Sequence, residues 1–145
     1  MIDAQTRTRL QEIVRRESLA LLSYVRHAYP WAQRTGTETL ARVLAILDQE
    51  QRALVELGQY LTRKHVPLPA HRSFPSNFTT TNFLALEHLI PQLVEVERRS
   101  IADLERDLPA IADAECKAKV EKILASKRFH QAELENLHFL YPASA

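Results

Sequence analysis

Five side chains in this 145-residue chain could do chemistry together, because each interrupts an apolar helical stripe at what should be a similar depth. They are Glu17, Glu50, Glu97, Lys127 and His130. A buried charge is costly unless it is paired or binds a metal. Carboxylates and imidazoles on facing helices are the ligands of metal sites in helical bundles, whereas an ammonium among carboxylates makes an ion-pair network. The pattern therefore indicates one of these two kinds of site.

Four long helices must position these residues, because apolar residues recur every three or four positions in four segments. The segments run over residues 3–29, 35–65, 82–108 and 113–140. Pro30, Pro67 and Pro109 end the first three. The stripes predict these inward-facing apolar residues: Leu10, Ile13, Val14, Leu21, Tyr24, Val25 and Ala28; Leu40, Val43, Leu44, Leu47, Leu54, Leu57 and Leu61; Phe83, Ile90, Val94, Ile101 and Leu104; Cys116, Val120, Ile123, Leu134, Leu137 and Tyr141.

The connections follow a short, long, short pattern. Residues 66–81 contain three prolines and several turn formers, which is a long link for two helices of one compact domain. Short links join antiparallel neighbours, while this one is long enough to cross the length of a bundle. The sequence therefore predicts an all-α fold: an antiparallel four-helix bundle with a long crossover between the second and third helices. Residues 1–145 are expected to form a single domain.

Composition narrows the classes of function. The 19 basic and 18 acidic residues nearly cancel and form no basic block, so nucleic acid is not an expected partner. No apolar run approaches the roughly 20 residues of a membrane span, and the N-terminal residues are charged rather than signal-like. Two glycines argue against a Gly-rich phosphate loop. Cys116 is the single cysteine, which leaves no metal-binding cysteine pair and favours a cytoplasmic setting.

Taken together, the helix pattern and the polar residues resemble the ferritin-like superfamily, particularly bundles of the bacterioferritin and rubrerythrin types. That family's di-iron site takes Glu from the first and third helices and Glu-x-x-His from the second and fourth. By this resemblance Glu17 matches the first ligand and Glu50 the second-helix carboxylate, while Ala53 stands at the histidine position. The fourth helix offers Lys127-x-x-His130, which keeps the histidine and replaces the carboxylate.

The third-helix ligand has three candidates. Glu97 is the first choice, with Glu95 and Glu87 as alternatives. Tyr24 lies two turns after Glu17, where a tyrosine borders the site in some members of the family.

Three interpretations of the polar residues remain open at this point. They are charges at stripe edges that reach water, a buried metal-free Glu–Lys–His network, or a metal site. The network predicts a non-catalytic structural or binding module without a cofactor, in which Lys127 occupies the degenerate di-metal site. The metal site predicts an iron- or manganese-dependent oxidoreductase or iron-handling protein that uses Glu17, Glu50, Glu97 and His130.

A homodimer is expected for the metal-free module. Apolar residues off the central seam could supply its face: Leu19, Leu22, Val55 and Val66.

Overall fold

The computed structural model describes residues 2–70 and 73–140, and this part of the chain is all-helical. Its α-helices are α1 (Ala4–Ser18), α2 (Leu21–Val25), α3 (Thr37–Arg63), α4 (Leu86–Asp107) and α5 (Ala114–Leu140). Short 3-10 turns cover Arg34–Gly36, Ser76–Thr81 and Leu108–Ala110. In these ranges, each helix is too short or too polar to cross a membrane. The all-α prediction is confirmed.

The first predicted helix is wrong in one respect, because it breaks after Ser18 and continues as the five-residue α2. Ala20 is extended, with φ −75° and ψ 158°. The carbonyl of Glu17 does not accept from the N–H four residues later, as it would in a continuous helix. It accepts hydrogen bonds from the Ala20 N–H at 3.3 Å and the Ser23 hydroxyl at 2.9 Å instead. The break also turns both Leu21 and Leu22 inward, where each is buried.

The third predicted helix starts later than expected, at Leu86. Phe83 was predicted in the core, but it lies in the left-handed backbone region with φ 56° and is 67% exposed. Its N–H donates to the Ala28 carbonyl at 2.7 Å, and its carbonyl accepts from Trp31 Nε1 at 2.7 Å. These contacts pair the segment with the chain that follows α2, so residues 82–85 do not join the helix.

The apolar core forms two clusters, one on each side of the five polar residues. The first includes Leu10, Ile13, Leu57, Leu61, Ile101, Leu104, Val120 and Leu124; the second includes Leu21, Val25, Ile46, Leu47, Leu89, Leu93, Leu134 and Leu137.

Leu44 was predicted inside and is 39% exposed, because Ile46 and Leu47 fill the core at that level. Leu22 and Val66 are buried within the chain, so they cannot form the expected dimer face. Tyr141 lies outside the described residues.

Side-chain contacts fix the directions of the long helices. The contacts are Arg9–Asp107 and Glu17–Ser100 between α1 and α4; Glu50–Lys127 and Tyr60–Cys116 between α3 and α5; and Arg98–Glu135 and Glu105–Arg128 between α4 and α5. In each pair, the residue number rises along one helix as it falls along the other, so each pair is antiparallel. Because α3 and α4 both oppose α5, they run in the same direction.

Candidate functional site

The ammonium of Lys127 lies among three carboxylates from three different helices. Its Nζ is 3.1 Å from Glu50 Oε1, 3.2 Å from Glu97 Oε1 and 3.4 Å from Glu17 Oε2. Lys127 is 5% exposed and Glu97 is fully buried. We call Glu17, Glu50, Glu97, Lys127 and His130 the polar layer. The structure brings all five together, so the interpretation of solvated charges at stripe edges is wrong.

Glu17 enters the layer from the last turn of α1, just before the break in that helix. Its Oε1 accepts a 2.6 Å hydrogen bond from the hydroxyl of Ser100 on α4. The Nε of Arg16 lies 3.9 Å from the same oxygen. Glu17 therefore contacts two positive charges and one hydroxyl, which compensates its removal from water.

His130 lies between Glu50 of the polar layer and the exposed residue Gln49. Its Nε2 lies 2.8 Å from Oε1 of Gln49, an exposed residue on α3, which is hydrogen-bond distance. The Nδ1 atom is 3.5 Å from Glu50 Oε2 and has no hydrogen-bond partner. The imidazole therefore borders Glu50 without making a full hydrogen bond to it.

The carboxylates do not share one ionisation state. Burial raises the pKa of Glu97, and the nearby Glu50 carboxylate adds to this, so that the pKa reaches about 9 despite the charge of Lys127. Burial alone would also raise the pKa of Glu50, but the contacts with His130 and Glu97 and the charge of Lys127 outweigh it and hold the pKa at about 2. Glu97 Oε2 is buried and has no hydrogen-bond partner, which also disfavours its charged form. Burial and the neighbouring Glu50 carboxylate therefore both favour the protonated form of Glu97.

The same neighbours act on the lysine. Burial by itself would lower the pKa of Lys127, but the charges of Glu17, Glu50 and Glu97 outweigh it and raise the pKa above its usual value. Lys127 is therefore an ammonium ion in the folded protein. It has no free amine that could act as a nucleophile or a base at neutral pH.

Several polar residues of this region were missed in the sequence. Asp107, which is 3% exposed, accepts from Arg16 at 2.8 Å and from Arg9 at 3.3 Å. Ser100 and Asp107 follow Glu97 by three and ten residues, which is the spacing of one helical face, so the sequence did contain a signal for them. Gln49 had no such signal, because it lies beside the stripe rather than on it.

The other candidate residues lie outside the layer. Glu95 pairs with Arg98 at 2.7 Å on the surface of α4, so Glu97 is the residue that faces α5. Glu87 has a buried oxygen without a hydrogen-bond partner, and it is not one of the three carboxylates that contact Lys127. The hydroxyl of Tyr24 donates to Asn82 at 2.5 Å, and its ring packs on Phe74 and Phe78. The structure therefore does not bring Tyr24 to the layer.

As they stand in the structure, these residues do not fit a di-metal centre. Lys127 Nζ occupies the space between the carboxylates where a bridged cation would lie, and it would repel that cation. In residues 2–70 and 73–140, no three His, Cys, Asp or Glu side chains are grouped as a metal ion requires. Ala53 on α3 lines a cavity of about 30 Å³ beside Glu17, Glu50 and Lys127, and its methyl group supplies no metal ligand to that space.

Comparison of the chain with protein-family models, curated proteins and solved structures gave no match.

Proposed function

We propose that the chain is a ferritin-like four-helix bundle protein in which the position of the di-metal site is occupied by an ion-pair network, and that it serves as a non-catalytic structural or binding module. The single observation that carries this proposal is the contact of Lys127 Nζ with three carboxylates at 3.1–3.4 Å. These contacts give Lys127 the place of a cation that bridges carboxylates.

The helix directions support the ferritin-like part of the proposal. Since α3 and α4 run in the same direction, the link between them must travel the length of the helices, as in a bundle with a crossover. A plain up-down-up-down bundle would have α3 and α4 antiparallel. The layer also takes one carboxylate from each of α1, α3 and α4, which is the distribution that the resemblance implies.

Metal analysis tests the proposal. Protein purified without chelators and without a metal-binding tag should contain far less than one iron or manganese per chain. The double variant Ala53→His, Lys127→Glu restores the two replaced ligand types, and it should gain metal binding and di-iron absorbance. Lys117→Glu is the matched control, because it adds a carboxylate to the exposed face of α5 without changing the layer.

A metal-dependent oxidoreductase or iron-handling protein is the second candidate function. The observation in its favour is that Glu97 Oε2 and His130 Nδ1, two possible metal-ligating atoms, are buried and have no hydrogen-bond partner. Stoichiometric iron or manganese in the wild-type protein, lost in His130→Ala, would support this candidate and refute the metal-free module.

A homodimer is part of the first proposal. Leu44 and Val55 are 39% and 45% exposed, and their spacing of eleven residues puts them on one face of α3. This face is therefore better suited to a dimer contact than the buried Leu22 and Val66. Light scattering after size exclusion should give twice the chain mass, and Val55→Glu should give the monomer. A monomeric wild-type protein would refute the dimer but not the module.

A further inference from the structure

The packing of α3 against α5 leaves a cavity open to the surface beside the polar layer. Its volume is about 140 Å³. Ala53, Leu57 and Ile123 form its apolar floor, and Glu56, Lys119, Lys122 and Ser126 line its polar side. Ala53 explains the space, because a methyl group stands at the level where the neighbouring core positions of α3 carry leucine.

The cavity adjoins the smaller void beside Lys127. The two share Ala53, Leu57 and Ile123 as lining residues, so they are neighbours. The inner void of about 30 Å³ has room for one or two water molecules among Glu17, Glu50 and Lys127. Only the outer cavity is large enough for an organic molecule: an apolar cavity of roughly 150 Å³ in another protein accepts benzene.

Charge decides what kind of molecule fits the outer cavity. Lys119 and Lys122 lie one turn apart on α5, and within the described ranges neither has a carboxylate partner at salt-bridge distance. Lys119 Nζ also lies 4.5 Å from the centre of the Tyr60 ring, which is a cation–π contact. Glu56 is the single acidic residue of the lining, so the lining carries a net charge of +1 from two lysines and one glutamate.

We propose that this cavity binds a small organic carboxylate with a compact apolar body of about six carbon atoms, the size of benzoate. The apolar body packs on Ala53, Leu57 and Ile123, while the carboxylate contacts Lys119 and Lys122. This inference names a ligand class for the module proposed above. Its failure would leave the proposal of a metal-free layer intact, because none of the variants below changes a residue of the layer.

Titration calorimetry with benzoate, benzyl alcohol and benzylammonium tests the inference on the full chain. Benzoate should bind saturably and tightest, and benzylammonium weakest. The double variant Lys119→Gln, Lys122→Gln should weaken benzoate by about fivefold or more, whereas Glu56→Gln should strengthen it because it removes the single opposing charge. Lys117→Gln is the matched control on the exposed face of α5, and it should leave the affinity unchanged.

Filling the floor gives an independent test. Ala53→Leu should abolish benzoate binding, and unchanged circular dichroism would show that the helices are intact. If Ala53→Leu fails to fold, the variants of Lys119, Lys122 and Glu56 still test the inference. The inference is overturned if benzoate does not saturate, if benzylammonium binds as tightly, or if Lys119 and Lys122 can be neutralised without effect. Inorganic phosphate binding as tightly as benzoate would also overturn it, because the apolar floor would then play no part.

Discussion

Replacing Lys127 by methionine tests the electrostatic account of the polar layer most directly. Methionine keeps most of the side-chain volume and removes the ammonium. Each ionised contact at 3.1–3.4 Å is worth about 5 kcal/mol of attraction at an effective dielectric constant of 20. Much of this is offset by the cost of taking the ammonium out of water. The measurable loss is therefore set by the carboxylates that remain.

The remaining carboxylates limit the loss, because they can take up a proton. Glu17 keeps Arg16 and Ser100, so Glu50 is the carboxylate that loses its close ammonium, although His130 and Glu97 still contact it. Keeping a carboxyl of ordinary pKa 4.5 protonated at pH 7 costs about 1.4 kcal/mol for each of roughly 2.5 pH units, or about 3.4 kcal/mol. At pH 5 the same cost is about 0.7 kcal/mol. Lys127→Met should therefore lower the free energy of unfolding by up to about 3 kcal/mol at pH 7 and up to about 1 kcal/mol at pH 5, because the contacts of Glu50 with His130 and Glu97 remain.

Urea unfolding followed by circular dichroism measures these values. The decisive comparison adds Glu50→Gln. This change should destabilise the wild-type protein, where Glu50 faces Lys127, but it should stabilise Lys127→Met by up to about 2 kcal/mol, because it removes a buried carboxyl that has lost its ammonium partner. Lys117→Met on the exposed face of α5 should stay within about 0.5 kcal/mol of wild type. The reasoning is refuted if Glu50→Gln has the same sign in both backgrounds, or if the loss in Lys127→Met does not shrink between pH 7 and pH 5.

Three further predictions follow from the same contacts. Glu97→Gln should match wild type near pH 4 and become the more stable protein as the pH rises toward 9, by at most about 1.4 kcal/mol per pH unit. The reason is that folding raises the pKa of Glu97, so the wild-type protein loses folding free energy as the pH rises. Urea unfolding across this range measures the difference, and a difference independent of pH would contradict the prediction. Ser100→Ala should cost about 1–2 kcal/mol, seen as a lower urea midpoint with an unchanged slope, because Glu17 Oε1 loses its hydroxyl donor. Asp107→Asn should cost about 2 kcal/mol, since the buried carboxylate bonds Arg16 and Arg9, and this loss should be larger in low salt than in high salt.

The residues that meet in the layer could be predicted because the helical period is fixed. Once a stripe is identified, its polar member must face the core, and short links set the depth at which two antiparallel helices match. Glu17, Glu50, Glu97, Lys127 and His130 met for this reason.

Features that depend on long-range contacts could not be predicted in the same way. The break after Ser18 involves no proline or glycine, and it is stabilised by the Ser23 hydroxyl on the Glu17 carbonyl. The exposure of Phe83 follows from its pairing with Ala28 and Trp31, which are more than fifty residues away. Neither contact leaves a periodic trace in the sequence.

The ionisation states were also beyond the sequence. The stripes show three carboxylates and one ammonium, but they do not show that Glu97 is fully buried beside Glu50 with one oxygen unpaired. This environment raises the pKa of Glu97 and favours its protonated form. With Glu97 ionised, three negative charges would surround one positive charge, and the layer would carry one more uncompensated negative charge, which burial disfavours.

Replacing a buried ion-pair layer by well-packed apolar side chains is often neutral or stabilising, so we infer that this layer contributes specificity rather than stability. Lys127 on α5 contacts carboxylates from α1, α3 and α4, so all four long helices must lie at one relative depth for the layer to form. Sliding α5 by one turn would move Nζ by about 5.4 Å and set an apolar or uncharged residue, such as Leu124 or Gln131, against the carboxylates. The two apolar clusters would tolerate such a slip far better, because leucine packs on leucine in either register. The polar layer therefore selects one register of the four helices where the apolar clusters alone would allow several.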